Sequence, residues 1–188
     1  MTSSSSSSKS SSSTHSHSTT HTTSHSTTKS KATSKTTTKA NPKKAYGANP
    51  KLAKVVKSVH IQQYKAKGKT TFCNQAFNAI AKKMGVKNLG GLIANQMFKK
   101  MSAPGSGWKK VNAAGAIAAA KAGKLVAAGW YNNTPRKGRP DGKAPGHIAA
   151  VIGEWSKGVP GIAQAGTTTR EWMSVEKTRK NPTYFVKQ

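Results

Sequence analysis

Three residues have the types that hydrolysis of an amide by a thiol needs, namely Cys73, His147 and Gln164. In such chemistry a cysteine attacks the carbonyl carbon, an imidazole takes the thiol proton and later protonates the leaving amine, and a polar partner orients the imidazole. Cys73 is the only cysteine of the chain. Of the histidines, four lie in residues 1–40 and His60 lies in a predicted surface helix, which leaves His147 as the candidate base.

Cys73 lies in the stretch 69–85, KTTFCNQAFNAIAKKMG, whose apolar residues recur at helical spacing. We expect Thr71 to cap the helix and Gly85 to end it, with Cys73 in the first turn. Unpaired backbone N–H groups and the helix dipole would there favour the thiolate. The position equally suits a small buried core residue, because Cys73 shares a helix side with Phe77.

His147 opens the apolar run 146–152, GHIAAVI, which predicts a central strand that is covered on both faces. A polar residue at the mouth of such a strand is costly unless it is hydrogen-bonded or functional. Gln164 interrupts the next predicted strand, and a hairpin would bring its amide oxygen within reach of the imidazole. The alternative for Gln164 is a polar residue that faces an edge. Glu154 points to the opposite face by strand alternation, so we do not favour it as the partner.

Helices are predicted in the first part of the domain and strands in the second. Asn49 and Pro50 should begin a helix that extends through the region of His60, where a lone histidine is more often structural than functional. Asn112 should cap an alanine-rich helix that Gly123 ends. Strands are predicted at residues 125–131, 146–152, 161–165 and 183–186. This order predicts an α+β domain with helices packed on a small, mainly antiparallel sheet.

The composition restricts the chemistry and indicates the kind of partner. The chain has 188 residues, with 32 basic and 4 acidic side chains and a net charge of +28. This charge predicts attraction to an anionic polymer or surface, such as a cell wall, nucleic acid or anionic lipid. Mechanisms that need paired carboxylates or a carboxylate-rich metal site have few residues available, and one cysteine excludes an intramolecular disulfide and a zinc site of several thiolates. We expect neither a metal nor a cofactor.

Residues 1–44 form a Ser, Thr, His and Lys-rich segment that predicts a disordered cationic tail, and residues 45–188 form the folded domain. The tail histidines are loosely spaced, which favours solvated residues over a metal site. Such a tail could tether the protein to an anionic surface, bind a delivery machine or act as a spacer. No apolar run reaches the length of a membrane span, and the N-terminus lacks the apolar segment of a secretory signal peptide. We therefore expect any export to use another route.

The motif order TFCNQAF, GW-KKV, an alanine helix, LVAAGW, GHIAAVIG and IAQAG resembles papain-like peptidoglycan hydrolases of the CHAP and NlpC type. The resemblance covers residues 65–170. In that family the cysteine begins a helix, the histidine opens the central strand, and a third polar residue lies on the following strand. The third residue of the family is often His, Asn, Asp or Glu, whereas this chain has Gln. The chain also has no recognisable cell-wall-binding repeat, so targeting would depend on charge.

The resemblance implies a papain-like α+β fold with Cys73 as nucleophile, His147 as base and Gln164 as orienter. It implies cleavage of a peptidoglycan amide bond, as an endopeptidase or amidase, by a lysin or a delivered antibacterial effector that acts at the cell envelope. Its partners would be peptidoglycan or another anionic cell-wall polymer, and an immunity protein or delivery machinery through the tail. We expect the backbone N–H of Cys73 to bind the oxyanion, with Asn74 as a second candidate donor. Trp130 is a candidate substrate contact.

Further residues would complete such a site. Gln63 is another candidate oxyanion donor, and Trp108 and Tyr131 are further candidates for the cleft wall, although each aromatic residue equally suits the core. The loop 132–145, NNTPRKGRPDGKAP, is rich in Gly, Pro and cations and ends just before His147. We expect it to form one lip of the site and to meet an anionic substrate.

Two other readings of the sequence remain open. The first is a basic protein that binds nucleic acid or another anionic polymer without catalysis, with Cys73 in the core. The few aromatic residues lie mostly in apolar runs and are not interleaved with basic residues, which argues against a base-stacking surface. The second is a papain-like toxin that cleaves or deamidates a host protein, and the sequence does not separate it from a peptidoglycan hydrolase.

Overall fold

A computed structural model describes residues 46–188, which pack as a single unit with an α+β fold. The helices and strands follow in the order β1 Gly47–Ala48, α1 Pro50–Ser58, α2 Cys73–Lys83, α3 Ala94–Ser102, β2 Trp108–Val111, α4 Ala113–Lys121, β3 Val126–Trp130, β4 His147–Ser156, β5 Val159–Gln164, β6 Arg170–Ser174 and β7 Thr183–Lys187. The α+β class and the antiparallel sheet were both predicted. The tail, residues 1–44, and its histidines lie outside the described residues.

The seven strands form one antiparallel sheet in the order β2-β7-β3-β4-β5-β6, and β1 pairs with the far end of β4. β4 is the central strand, because β3 pairs with it on one side and β5 on the other. In the first pair Trp130 lies opposite His147, and in the second Ala150 lies opposite Ala163. The β4–β5 hairpin thus places Gln164 one strand away from His147, as the sequence predicted.

Two helix starts agree with the predicted asparagine caps. Asn49 Oδ1 accepts the Leu52 N–H at 3.2 Å, and Asn112 Oδ1 accepts the Gly115 N–H at 2.8 Å. The prediction that the first helix continues through His60 is wrong. His60 has a φ of 47°, a left-handed conformation that ends the α-helical segment, and a short 3-10 helix follows at Ile61–Tyr64.

The start of α2 differs from the prediction in one residue. Phe72, not Thr71, is the N-cap of α2, and no side chain caps the helix. Cys73 is the first helical residue, and Gly85 follows the helix with a φ of 85°, which permits the chain to turn away there. Because no side chain occupies the cap, the first backbone N–H groups of α2 have neither an intrahelical acceptor nor a side-chain cap.

Three strands were missed, so the sheet is larger than the small one that was predicted. β1 has only two residues, which is too short for an alternating pattern. β2, WKKV, and β6, REWMS, carry charged residues on their exposed positions and lie at the two ends of the sheet. Strands with charged residues at a sheet edge lack the apolar pattern by which the inner strands were recognised.

The core fills the space between the helices and the sheet. α2 and α4 both pack against β4, and α3 packs against β2 and β3. Fully buried side chains such as Phe77 from α2, Ile148 from β4 and Phe185 from β7 belong to one cluster. Among residues 46–188, no helix combines the length and apolarity needed to span a membrane.

Candidate active site

Cys73 lies at the point where the N-terminus of α2 meets β4. The backbone N–H groups of Ile148, the residue directly after His147, of Asn74 and of Cys73 itself face its sulfur. The side chain is only 4% exposed. It nevertheless lines a cavity of about 200 Å³, here called the Cys73 cavity, whose wall includes Arg139 of the loop 132–145. The thiol is therefore buried but reachable from this cavity.

Burial raises the pKa of the Cys73 thiol above its ordinary 9.0. The backbone N–H groups of Ile148 and Asn74 and the charge of Arg179 all favour the thiolate, but they offset only part of the desolvation. The backbone groups at the helix start thus favour the thiolate, as expected, but burial outweighs them in the ligand-free protein. The resting thiol is protonated at neutral pH, and it needs a base to become a nucleophile.

Gln164 fixes the orientation of His147. His147 Nε2 lies 2.8 Å from Gln164 Oε1, and the Gln164 amide nitrogen donates to the Thr168 carbonyl at 3.2 Å. The Thr178 hydroxyl donates to the same Gln164 oxygen at 3.1 Å. Since the amide oxygen faces the ring, His147 Nε2 carries the hydrogen of this bond. Nδ1 is then the ring nitrogen with a free lone pair, which is the atom that can accept a proton.

The His147 imidazole is neutral over most of the pH range. Burial lowers its pKa from 6.5 to about 4, the Gln164 hydrogen bond opposes that shift, and the charge of Arg179 adds to it. The Trp130 ring packs against the imidazole with 5.2 Å between the ring centroids. The free protein therefore holds a neutral thiol and a neutral imidazole rather than an ion pair.

His147 and Gln164 line a second cavity, of about 260 Å³, here called the His147 cavity. The walls of the Cys73 cavity and the His147 cavity share Thr71, Pro145 and Gly146. The two cavities are therefore neighbours, and a substrate that reaches both would extend past the sulfur and the imidazole together.

Gly146 admits no side chain at the junction of these cavities. A Cβ atom there would lie 2.2 Å from Asn95 Oδ1 and 2.7 Å from the carbonyl oxygen of Trp130. Both distances are far below van der Waals contact, and one of the two atoms belongs to the backbone. The glycine of the GHIAAVI motif is thus explained by close packing next to the base.

Asn95 on α3 anchors the loop 132–145, a role that was not predicted from the sequence. Asn95 is 1% exposed, and its Oδ1 accepts the Asn132 N–H at 3.1 Å. Its Nδ2 lies 3.1 Å from the carbonyls of Asn132 and Ala144 and 2.8 Å from Asp141 Oδ2. The hydrogen bond from Asn95 Nδ2 to the Asp141 carboxylate lowers the pKa of Asp141. The signal in the sequence was a single polar residue on the apolar side of ANQMFKKM.

The two side chains predicted as oxyanion donors, Asn74 and Gln63, bind other partners. Asn74 lines the Cys73 cavity, but its amide nitrogen donates to the Leu92 carbonyl at 2.9 Å, which leaves one of its two hydrogens for a ligand. Gln63 donates to the Val59 carbonyl at 2.8 Å, one turn back along its own segment. The N–H groups at the start of α2 lack an acceptor within the helix, and those of Cys73 and Asn74 face the Cys73 sulfur.

Trp130, predicted as a substrate contact, is 6% exposed and lines neither the Cys73 cavity nor the His147 cavity. Its ring lies beside His147, and its Nε1 donates to the Arg179 carbonyl at 3.1 Å. Trp108 packs in the core against Phe77, and Tyr131 packs against Phe98 on α3. Trp130 therefore packs against the imidazole of His147 and lines neither cavity.

Glu154 is not the partner of His147, as the strand alternation predicted. Its carboxylate forms an ion pair with Lys121 on α4, and it also accepts the Gly158 N–H at 2.9 Å. The segment KTRK before the last strand was not identified from the sequence. It supplies Thr178, which binds Gln164, and Arg179, which acts electrostatically on both Cys73 and His147.

Within residues 46–188, no group of three or more His, Cys, Asp or Glu side chains is arranged to hold a metal ion. The arrangement of a thiol at a helix start, an oriented imidazole and backbone N–H groups that face the sulfur is suited to nucleophilic attack on a carbonyl. No model of a known protein family matches the chain, and no curated protein matches it in sequence.

Proposed function

We propose that this protein is a cysteine amide hydrolase with a papain-like fold that cleaves amide bonds of peptidoglycan. The observation that carries the proposal is the hydrogen bond from His147 Nε2 to Gln164 Oε1, next to a thiol that binds the backbone of the same strand. A half-buried imidazole with one nitrogen fixed and the other free is the arrangement that a general base needs. The predicted order of cysteine, histidine and polar residue supports the same reading.

In the first half of the reaction, His147 Nδ1 takes the thiol proton while Cys73 Sγ attacks the amide carbonyl carbon. The resulting oxyanion is stabilised by the Cys73 backbone N–H, which lies at the first helical position and has no partner in the helix. The imidazolium then protonates the leaving amine, and the C–N bond breaks to give a thioester. Gln164 stabilises the imidazolium through its oxygen and keeps Nδ1 towards the reaction.

In the second half, neutral His147 removes a proton from water, which attacks the thioester carbonyl. The C–S bond then breaks, the thiol regains its proton from His147, and the acid product leaves. Because both groups are neutral in the free protein, binding of the substrate must precede the transfer of the thiol proton. This order limits unwanted reactions of the thiol before the substrate is bound.

The charge of the protein supports a cell-wall polymer as substrate. The net charge of +28 attracts polyanions, and the loop 132–145 brings Arg139 to the wall of the Cys73 cavity. Peptidoglycan carries carboxylates on its peptides, so the same charges that bring the protein to the wall can orient a peptide at the thiol. We propose the cell envelope as the place of action on the same grounds.

The test is incubation of the full chain with purified peptidoglycan, followed by mass analysis of the released fragments. The Cys73→Ala variant is the first control, and His147→Gln is the second. We expect wild-type protein to release new peptide or amino-sugar ends, and both variants to lose at least about a thousandfold in rate. The fragment masses also identify the cleaved bond, either within the peptide or between sugar and peptide.

Full activity of Cys73→Ala would contradict a thiol mechanism. Absence of turnover by the wild type, together with tight binding to DNA that weakens steeply with salt, would favour the nucleic-acid-binding alternative. Absence of turnover on peptidoglycan, with Cys73-dependent cleavage or deamidation of host proteins, would favour the toxin.

A further inference from the structure

The His147 cavity has a cationic wall. Lys69, Lys177 and Arg179 line it together with the hydroxyl-bearing residues Thr71, Thr167, Thr168 and Thr178. No Asp or Glu lines this cavity, and within the described residues none of the three cations forms an ion pair. The His147 cavity thus presents several hydroxyls and three cationic residues that form no ion pair within residues 46–188.

Arg179 is close enough to affect both reacting groups. Its charge lowers the pKa of Cys73 and the pKa of His147. Two hydrogen bonds dock its segment on the site, because the Arg179 carbonyl accepts the Trp130 indole N–H and the neighbouring Thr178 hydroxyl binds Gln164 Oε1. The backbone of Arg179 is therefore fixed, while its side chain is exposed and free to bind a ligand.

We propose that the His147 cavity binds a carboxylate of the substrate, close to the amide that Cys73 attacks, through Arg179 with Lys69 and Lys177. The inference rests on the proposed function and specifies its substrate, namely a peptide with a free carboxylate near the scissile bond. The planar guanidinium matches a carboxylate with two parallel hydrogen bonds, and the lysines add charge without a fixed geometry. A bound carboxylate also neutralises the charge that disfavours the imidazolium of His147.

The first experiment measures anion binding without turnover. Cys73 is the only thiol, so its alkylation by iodoacetate, which is anionic, can be compared with alkylation by iodoacetamide, which is neutral; in both reactions the sulfur displaces iodide. The rate ratio is divided by the ratio for the unfolded chain, which removes intrinsic reactivity. Salt at about 0.15 M reduces the contribution of distant charges, because the screening length is then about 8 Å.

We expect the normalised ratio to favour iodoacetate by about tenfold in the wild type, as a charge-assisted hydrogen bond would give. Arg179→Gln should remove most of this preference, and Lys69→Gln with Lys177→Gln should reduce it. Lys157→Gln is the matched control, since Lys157 is an exposed lysine in the turn between β4 and β5, outside the His147 cavity. Equal ratios in Arg179→Gln and Lys157→Gln, or a wild-type ratio near that of the unfolded chain, would overturn the proposal.

The second experiment separates carboxylate from phosphate and tests the substrate. At equal ionic strength, acetate should reduce the rate at which iodoacetamide alkylates Cys73 more than inorganic phosphate does. A larger reduction by phosphate would overturn the carboxylate assignment. Once the cleaved bond is known, the released peptide is compared with its carboxamide analogue. We expect the acid form to have the higher kcat/KM in the wild type and in Lys157→Gln but not in Arg179→Gln. Equal cleavage of both forms by the wild type would reject the carboxylate site and leave the hydrolase intact.

Discussion

His147 Nε2 lies 2.8 Å from Gln164 Oε1, and Gln164 is itself held by the Thr168 carbonyl and the Thr178 hydroxyl. Because the Gln164 amide nitrogen is already bound to Thr168, only its oxygen can face the imidazole. The bond therefore selects the tautomer of His147 whose Nδ1 has a free lone pair, which is the form that the proposed mechanism requires of the base.

Replacement of Gln164 tests this selection. Gln164→Leu keeps the size of the side chain but removes the acceptor, so His147 can rotate and change its tautomer; we expect kcat/KM to fall by about 10- to 100-fold, the equivalent of one buried hydrogen bond. Gln164→Glu keeps an acceptor and adds a negative charge that stabilises the imidazolium. The pH at which kcat/KM falls on the acid side of the profile should rise by about one pH unit or more in Gln164→Glu. An unchanged limb in Gln164→Glu would show that this residue does not contact the base during the reaction.

The pH dependence of activity should reflect the low pKa of His147. The base must be neutral to take the thiol proton, and its pKa is about 4 in the folded protein. We therefore expect the kcat/KM of the wild type to fall only as the pH approaches 4, whereas a solvent-exposed imidazole would give a limb near its ordinary value of 6.5. A limb near 6.5 in the wild type would contradict the buried, neutral state of His147.

The same shift makes stability depend on pH. The pKa of His147 is lower in the folded chain, about 4, than its ordinary 6.5, so between these values the unfolded chain binds the proton more readily. The free energy of unfolding should decrease as the pH falls from 6.5 to 4 and should not change further through this group below 4. In His147→Gln this part of the pH dependence should disappear. Denaturant unfolding of the wild type and of His147→Gln at several pH values measures the difference. If the free energy of unfolding depends on pH in the same way in both proteins, the low pKa of His147 is contradicted.

Gly146→Ala should damage the site through packing alone. The added Cβ would meet Asn95 Oδ1 at 2.2 Å and the Trp130 carbonyl at 2.7 Å, which forces the backbone next to His147 to move. We expect a loss of about 1–3 kcal/mol in the free energy of unfolding and a lower kcat/KM. Gly90→Ala is the control, because its Cβ would meet only Asn78 at 3.9 Å. If Gly146→Ala and Gly90→Ala lower the free energy of unfolding by the same amount, the close approach at Gly146 does not constrain the site.

Asn95→Ala should release the loop 132–145 from α3. Asn95 is buried and binds the backbone of the loop at both of its ends, so its loss leaves several polar groups unpaired. We expect a loss of about 3 kcal/mol in the free energy of unfolding and faster proteolysis within the loop. Asp141→Ala removes only one of the hydrogen bonds of Asn95, so the free energy of unfolding of this variant should fall by about 1 kcal/mol. Equal losses would show that Asn95 acts through Asp141 and not through the loop backbone.

Asp141 adds an acid-dependent part to the same anchor. Its pKa is lowered in the folded protein, chiefly by the Asn95 amide, so its contribution is present above pH 3.8 and is lost as the pH falls through the lower folded value. The Asp141→Ala variant should lack this dependence in acid denaturation, while His147→Gln should keep it. The two variants therefore separate the two acid transitions.

Local pattern and composition determined a large part of what this protein is. The spacing of apolar residues gave α2 and the inner strands, the asparagine caps gave the starts of α1 and α4, and the single polar residues His147 and Gln164 in apolar strands identified a polar pair. These features depend on neighbours within a few residues or on one hairpin, so they can be read along the chain. The edge strands β2 and β6 could not be read in this way, because charged residues interrupt their apolar pattern.

The tertiary structure alone decided which groups meet and in what state. The sequence put Cys73 at a helix start, where a thiolate is favoured, but packing against β4 buries the sulfur and raises its pKa. It offered Trp130 as a substrate contact, but the sheet register puts the ring beside His147. The roles of Asn95 and Arg179 were not predicted, because each residue acts on partners more than thirty residues away along the chain. Desolvation and contacts across the chain depend on the closed fold, which local spacing does not encode.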